Sequence, residues 1–541
     1  MKRLKRRDLF WLLLAQALAL WAVMLFQHSP GYMDADYYTV MGRQLARGSD
    51  AEPFIWNFLD DPTGLPHPGF AYWQPLPAML ASAGMRVWGM SFAAARLPFA
   101  ILALFVPWLT ALLALRLTER RDLALLSGAL AVASGFYLPY LAVPESFTPL
   151  ITLGALFFLL LLSRERNLFG DLLRPWRLGG RIVARFLGIG YLPALALGLV
   201  VGMMWLARAE GWLWLLAALA ALAIMRERRL SDYAWVLVGC FLLVFPWMLR
   251  NLREFGSVFA PGGLRTLWLT DYNEIFVYPA SKLNFAHWWA SGLRAILRAR
   301  MHALAINSLS AFAVQGEVIW LPFILLGAWA LRRKAVVRIA LAMELILWLV
   351  FSLVFPFSGE RGGFFHACAA LQPLWWALAP LGLARALKPL AKRRRWNGAE
   401  ALKVLGWGFV GVALLLTVLA VHRRVIGNDP TAPVWDKQTR LYVRFGDALR
   451  RYGASGGDVV LVNNPPGFTL ATGFRTVVIP DGGVEEVTAV AKRYGARYWV
   501  LEVGHPPQLN HYYCHPDYVP KPWRYLGDVA LNPLFVLEGE R

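Results

Sequence analysis

Long apolar runs alternate with short polar intervals along most of the chain, and the runs have membrane length. The first, over 9–26, follows "MKRLKRR" and is about 27 Å long at 1.5 Å per helical residue, enough to cross a hydrocarbon core. Ten more lie near 95–115, 123–141, 147–162, 186–206, 211–225, 233–249, 309–331, 336–356, 366–387 and 401–421. The pattern predicts an all-α polytopic body, 1–421, of about eleven transmembrane helices. Its basic start resembles a signal peptide, but no small-residue cleavage site follows, so the first run reads as an uncleaved anchor.

Two polar intervals, 28–94 and 251–308, are too long to be simple connections. Each carries a candidate surface-lying amphipathic helix, "PLPAMLASAGMRVWG" in the first and "AHWWASGLRAILRARMHALA" in the second, with tryptophan and arginine suited to the headgroup layer. A plain packing helix is the competing reading of both. After 421 the pattern changes. "GDVVLV" and "ARYWVLE" read as short buried strands, "VEEVTAVAKRYG" as a helix with a glycine stop, and "NNPPGFTLATG" as a loop without a phosphate-cradling motif. Residues 422–541 are therefore expected to form a small α/β domain. "HYYCH", with His511, Cys514 and His515, is too compact a cluster to argue for metal.

Composition agrees with a chain that uses lipid as its solvent. Of the 541 residues 58% are hydrophobic and 16% charged, below the roughly 25% usual for soluble proteins. The net charge of +21 does not point to nucleic acid, because the basic residues fall in clusters between apolar runs. With the N-terminus in the cytoplasm, Arg116, Arg120 and Arg121 and the clusters in 164–185, 226–229, 332–338 and 388–395 all fall inside. The tail domain is then extracytoplasmic, in a plasma-membrane protein. Cys240, Cys368 and Cys514 give no disulfide framework.

The other face collects a different set. "GYMDADYY" places Asp34 and Asp36 just after the first span, and "LAVPESFTPL" places Glu145 at another junction beside a proline. "LARAEGW" supplies Arg208 and Glu210, "PWMLRN" supplies Arg250, and "SGERGGFFH" supplies Glu360, Arg361 and His366. Carboxylates and guanidiniums gathered at one membrane depth suit an anionic lipid headgroup.

These features, in this order, resemble the GT-C fold glycosyltransferases that use lipid-linked sugars. Within that class the chain is similar to the protein O-mannosyltransferase and aminoarabinose transferase group. The residues that carry the likeness are "MDADYYTVMGRQLARG", "HPGFAYWQPLPAMLASAGMRVWGMSFAAARLP", "AVPESFTPL", "GMMWLARAEGWLWL" and "FPWMLRNLREFGSVF". It covers about 1–260 well and the tail hardly at all. It implies that Asp34 is the catalytic base, that Tyr38 matches a recurrent aromatic, and that Glu145 stands where the family often has Asp. Where many members have an Asp-Glu pair, this chain has Asp34-Ala35-Asp36, which leaves Asp36 the second role or none.

The implied donor is a sugar on a polyprenyl phosphate, and the acceptor a lipid, glycan or protein hydroxyl. A carboxylate takes the hydroxyl proton as C1 is attacked, a single displacement inverts C1, and fixed cations such as Arg208, Arg250 or Arg361 meet the charge growing on phosphate. No cofactor is required; an Asp-x-Asp can hold a divalent cation, but a monophosphate donor has less need of one. The rival classes are a transporter or flippase, a ligase or polymerase using diphosphate-linked donors, and a membrane scaffold. No duplicated hydropathy pattern supports the first, and the outer charges are left unexplained by the last.

Overall fold

The computed structural model describes residues 4–165, 191–225 and 229–538; the expected basic cluster 164–185, all but Arg229 of 226–229, and the first residues of the span 186–206 lie essentially outside this set. In chain order the first helices are α1 (Arg6–Met24), α2 (Met33–Ala46), α3 (Leu76–Trp88), α4 (Phe92–Thr118), α5 (Arg121–Ala133) and α6 (Phe147–Glu165). There follow α7 (Leu192–Ala207), α8 (Trp212–Ile224), α9 (Leu230–Phe255), α10 (Leu293–Ser310), α11 (Leu321–Ala330), α12 (Ala335–Leu349), α13 (Gln372–Arg394) and α14 (Gly398–Val421).

Among the described residues, six helical segments are long and apolar enough to cross a membrane: α1, α4, α9, Ala335–Val354, Pro356–Arg394 and Gly398–Ile426. Shorter helices (α5, α6, α7, α8 and α11) stand at the other five expected spans. The protein is a polytopic, integral membrane protein. Its body packs around α13, whose first turns are enclosed on all sides (Leu374, Trp376, Leu378), while Trp21 on α1, Leu242 and Phe245 on α9 and Leu415 on α14 face outward. An apolar rim around a buried core is what a lipid-solvated body requires.

The expected span 309–331 differs from its reading. α10 ends at Ser310, and the chain turns through 316–320 before α11, with Glu317 and Val318 at φ 43° and 61°. Glu317 is buried and accepts the Trp376 indole N–H at 2.6 Å. A carboxylate among apolar side chains is tolerated only with such a partner, and the turn is what brings the two together. Of the two expected surface helices, α3 packs on α2 and α4 through Ala78, Ala81 and Met85. The second, Phe285–Ala290 with α10, exposes Phe285, Trp289, Leu293, Leu297 and Met301 at four-residue intervals.

The tail folds as α15 (Lys437–Arg451), β4 (Val459–Val462), α16 (Pro465–Thr472), β5 (Arg475–Val478), α17 (Val484–Tyr494), β6 (Ala496–Val500), β7 (Trp523–Val529) and β8 (Asn532–Leu537), after three two-residue strands in the first long loop: β1 (Ala51–Glu52), β2 (Phe54–Ile55) and β3 (His67–Pro68). The sheet order is β2-β5-β4-β6-β8-β7, parallel from β2 to β6 and antiparallel beyond. β2 pairs Phe54 with Thr476 and Ile55 with Val477, so the first loop supplies the edge strand of the tail's sheet. α15 and α16 cover one face with Tyr442, Phe445 and Phe468, and α17 covers the other with Val487 and Val490. The stretch expected as a loop thus contains α16. Asn464 caps it by accepting the Gly467 N–H, two prolines occupy first-turn positions that need no donor, and Gly473 at φ 82° ends it.

Candidate functional site

Asp34 and Asp36 both sit in the first turn of α2, where the helix dipole favours negative charge. Two positions along a helix correspond to a rotation of about 200°, so the two carboxylates leave α2 on opposite sides. Asp34 faces the helical body and Asp36 faces the tail domain.

On the body side, the loop before α6 brings up Glu145, and the short helix Phe364–Ala367 brings up His366. His366 lies flat on Phe147, ring centroids 4.1 Å apart, with Nδ1 3.5 Å from Glu145 Oε1 and Nε2 4.0 Å from Asp34 Oδ2. The Ser146 N–H donates to Glu145 Oε1 at 2.5 Å, Ser146 Oγ lies 3.3 Å from His366 Nδ1, and the Tyr32 hydroxyl donates to Glu145 Oε2 at 3.4 Å. Glu145 is fully enclosed, whereas the Asp34 side chain keeps 30% of its surface at the mouth of the site.

The environment separates the carboxylates. Burial, reinforced by the charge of Glu145 and opposed by His366 and Arg208, raises Asp34 to about 6. Burial also acts upward on Glu145, but the charge and hydrogen bond of His366 and the bonds from Ser146 outweigh it and hold that carboxyl below its usual range. Asp36 is raised to about 7 by burial, with the Asn464 hydrogen bond acting against it and the charge of Asp34 adding to the rise. A raised carboxyl beside a depressed one is the arrangement that sets a proton acceptor apart from a permanent anion.

Arg208, just past α7, pairs with Glu210, and its charge acts on Asp34 and on the buried Tyr38 hydroxyl. Arg361 lies over the Tyr272 ring, 4.6 Å from its centroid, while its neighbour Glu360 is 3.6 Å from His302. Arg250 is engaged elsewhere: it makes two hydrogen bonds to Asp50, at 3.0 and 2.7 Å, and sits over Trp247 and Phe255. The structure therefore brings together Asp34, Glu145, His366, Tyr38, Arg208 and Glu210, and keeps Asp36 and Arg250 apart from them. Sequence reasoning missed Ser146 as the link between Glu145 and His366, and it missed Tyr32, Tyr72 and Tyr272 as walls of the site. Aromatic residues in outer loops were the available signal, but they are too common here to single these out.

Among the described residues one group has metal-ligating geometry: Asp34, Glu145 and His366 offer ligand atoms within 4.8 Å of one another. Two carboxylate oxygens and an imidazole nitrogen suit a borderline divalent cation such as Zn²⁺ or Mn²⁺. The Asp-x-Asp considered from sequence does not form such a group, since its carboxylates diverge, and neither do His511, Cys514 and His515.

No protein-family profile matches this sequence, and no curated protein matches it. Among solved structures the chain is similar to ArnT from Cupriavidus metallidurans bound to undecaprenyl phosphate, with a TM-score of 0.56 and 13% identity over 98% of each chain. The apo state of that protein gives 0.53 and 14% over 97% of each. An Archaeoglobus fulgidus oligosaccharyltransferase in complex with Zn and sulfate gives 0.53 and 14%, over 94% of this chain and 69% of that one. At these identities the likeness is one of fold, and the fold is that of the GT-C membrane glycosyltransferases. It extends through the tail, well beyond the part of the sequence that carries the resemblance.

Proposed function

We propose that this GT-C fold protein is an inverting glycosyltransferase that moves a sugar from a polyprenyl-phosphate donor to an acceptor hydroxyl at the outer membrane face. The observation that carries the reading is the convergence of Asp34, Glu145 and His366 beside Arg208 at the mouth of the helical body. The undecaprenyl phosphate bound by the ArnT neighbour supports a polyprenyl carrier.

Asp34 is the general base. Its carboxyl is raised yet ionised at neutral pH, and it is the most exposed member of the group. The acceptor oxygen attacks C1 as its proton passes to Asp34; the C1–O bond to phosphate breaks, and phosphate leaves with the electron pair. Glu145 stays ionised and holds His366 against Ser146. Arg361 and Arg208 meet the departing phosphate; the Arg361 guanidinium lies over a ring face, which leaves its N–H edge to a bidentate anion, and Arg208 adds charge beside Asp34. Tyr38 and Glu210 stand beside the same charges, Glu210 fixing the guanidinium of Arg208. Asp36 and Arg250 take structural roles. The N-terminus is cytoplasmic and the tail outside, on the distribution of basic clusters.

A metal-dependent variant is supported by the ligand geometry of Asp34, Glu145 and His366 and by the Zn in the oligosaccharyltransferase neighbour. A bound divalent cation would supply Lewis-acid charge to the phosphate oxygens. Otherwise the His366 ring bridges the two carboxylates alone. Chelation followed by metal add-back separates the two.

The test supplies labelled polyprenyl-phosphate sugars to membranes carrying the wild type or Asp34→Asn, natural acceptors included. The wild type is expected to consume one donor, and Asp34→Asn to lose about 10²–10⁴-fold while inserting normally. Equal consumption by both removes Asp34 as base. No consumption by the inserted wild type overturns the donor class.

A further inference from the structure

The second aspartate of the loop motif is held by the tail domain. Asp36 is 4% exposed, and its Oδ2 accepts a hydrogen bond from the Asn464 side-chain amide at 3.1 Å. The orientation of that amide is determined by its own surroundings: Asn464 Oδ1 already accepts the Gly467 N–H at 3.1 Å as the cap of α16, so the NH₂ end is the one presented to Asp36. A Cβ at Gly467 would lie 2.5 Å from Asp36 Oδ2 and 2.6 Å from the Asn464 amide nitrogen, so only glycine leaves room for the pair.

The approach to α2 is gripped as well. Asp436 accepts the backbone N–H groups of His28 and Ser29 and the Ser29 hydroxyl, at 2.7 to 3.3 Å. The Trp435 indole donates to the Ser29 carbonyl at 2.9 Å and covers Gly31, which at φ 90° has no space for a Cβ. Those contacts fix the chain before the helix, and Asn464 is the tail-domain side chain that hydrogen-bonds a carboxylate of its acidic turn.

We infer that Asn464 is a positioning residue for the reaction centre, holding Asp36 so that α2 presents Asp34 to Glu145 and His366. The inference rests on the proposed function for its kinetic effect and on the Asn464–Asp36 geometry for its structural one. Asp34 stands two residues from Asp36 on the same helical turn, so any rotation or slide of α2 that follows loss of Asn464 moves Asp34 directly. A displacement of about 1 Å at a reacting group can cost on the order of 10²-fold in rate.

The experiment uses the full-length protein in detergent with four variants: Asn464→Ala, Asn464→Asp, Asp36→Asn and the exchanged pair Asp36→Asn/Asn464→Asp. In the exchanged pair the amide at 36 donates to a carboxylate at 464, and that carboxylate still caps α16. Two readouts are taken, donor kcat with KM, and amide hydrogen exchange over Met33–Ala46. Asn464→Ala is expected to lower kcat about tenfold or more with donor KM within about twofold, and to speed exchange in α2. Asn464→Asp, with carboxylate facing carboxylate, is expected to do worse. The exchanged pair is expected to return to within about threefold of wild-type kcat and to wild-type exchange.

Wild-type kcat and exchange in Asn464→Ala overturn the inference, as does an exchanged pair no better than its worse single variant. If Asn464→Ala fails to insert, the exchanged pair alone decides, because the positioning role requires it to fold and to protect α2. If the wild type consumes no donor, the proposed function fails, and the exchange data still decide whether Asn464 holds α2.

Discussion

Asp34 and Asp36 look interchangeable in "MDADYY", and only the turn of the helix tells them apart. One carboxylate meets His366 and Glu145, and the other meets Asn464. Under the proposed mechanism, the raised Asp34 makes a prediction with a definite sign. Below about pH 6 the carboxyl holds its own proton and cannot take one from the acceptor, so kcat/KM should fall as pH drops through about 6 and level off above it. An acid limb near pH 4, the range of an unperturbed carboxylate, would speak against Asp34 as base. Arg361 lies over Tyr272, and if it meets the donor phosphate as proposed, Arg361→Ala should weaken donor binding about tenfold or more without changing expression. Titration of donor binding measures it; unchanged affinity removes the phosphate role. The sequence pointed to the junctions at span ends because charges are costly elsewhere in such a chain. It could not separate Arg250 from Arg208 or Arg361, because the partner of Arg250, Asp50, lies 200 residues away.

At the level of elements, hydropathy located the six long apolar segments and the shorter helices among the described residues, but not the break at 316–320. An apolar run with one Glu reads as continuous, and the Trp376 indole that makes the turn worthwhile lies 59 residues on. Replacing Glu317 by Ala leaves that indole buried without an acceptor, at a cost of about 1–3 kcal/mol in stability; Glu317→Gln keeps an acceptor and should lose less. Thermal unfolding in detergent distinguishes them, and equal loss in both would place the cost elsewhere. α16 was hidden for a local reason. Its two prolines read as loop, and the cap at Asn464 that permits them becomes decisive only when the side chain is seen to accept the Gly467 N–H.

For the whole molecule, the distribution of arginines predicts which end of the body faces the cytoplasm. A membrane-impermeant thiol reagent applied outside should label Leu531→Cys on the exposed β7–β8 turn and spare Arg333→Cys in a cysteine-free background. Labelling of both, or of neither, would overturn the proposed orientation. The α/β character of the tail was legible from its short apolar runs, but its edge strand was not. Phe54 and Ile55 are two residues in a long loop, and nothing near them announces a sheet whose other strands begin at Val459.

That borrowed strand sets a timetable for biosynthesis. Asp36 and Asn464 are 428 residues apart, and β2 waits for β5 across a similar interval. At about 5–20 residues per second a ribosome needs roughly 20–90 s to cover it. Through that time the first loop sits beside the membrane with its strand unpaired and its acidic turn unsupported. A nascent chain that has inserted every helix is therefore still incomplete, and a stop codon before Asn464 yields a chain whose acidic turn lacks its amide partner and whose β2 lacks β5.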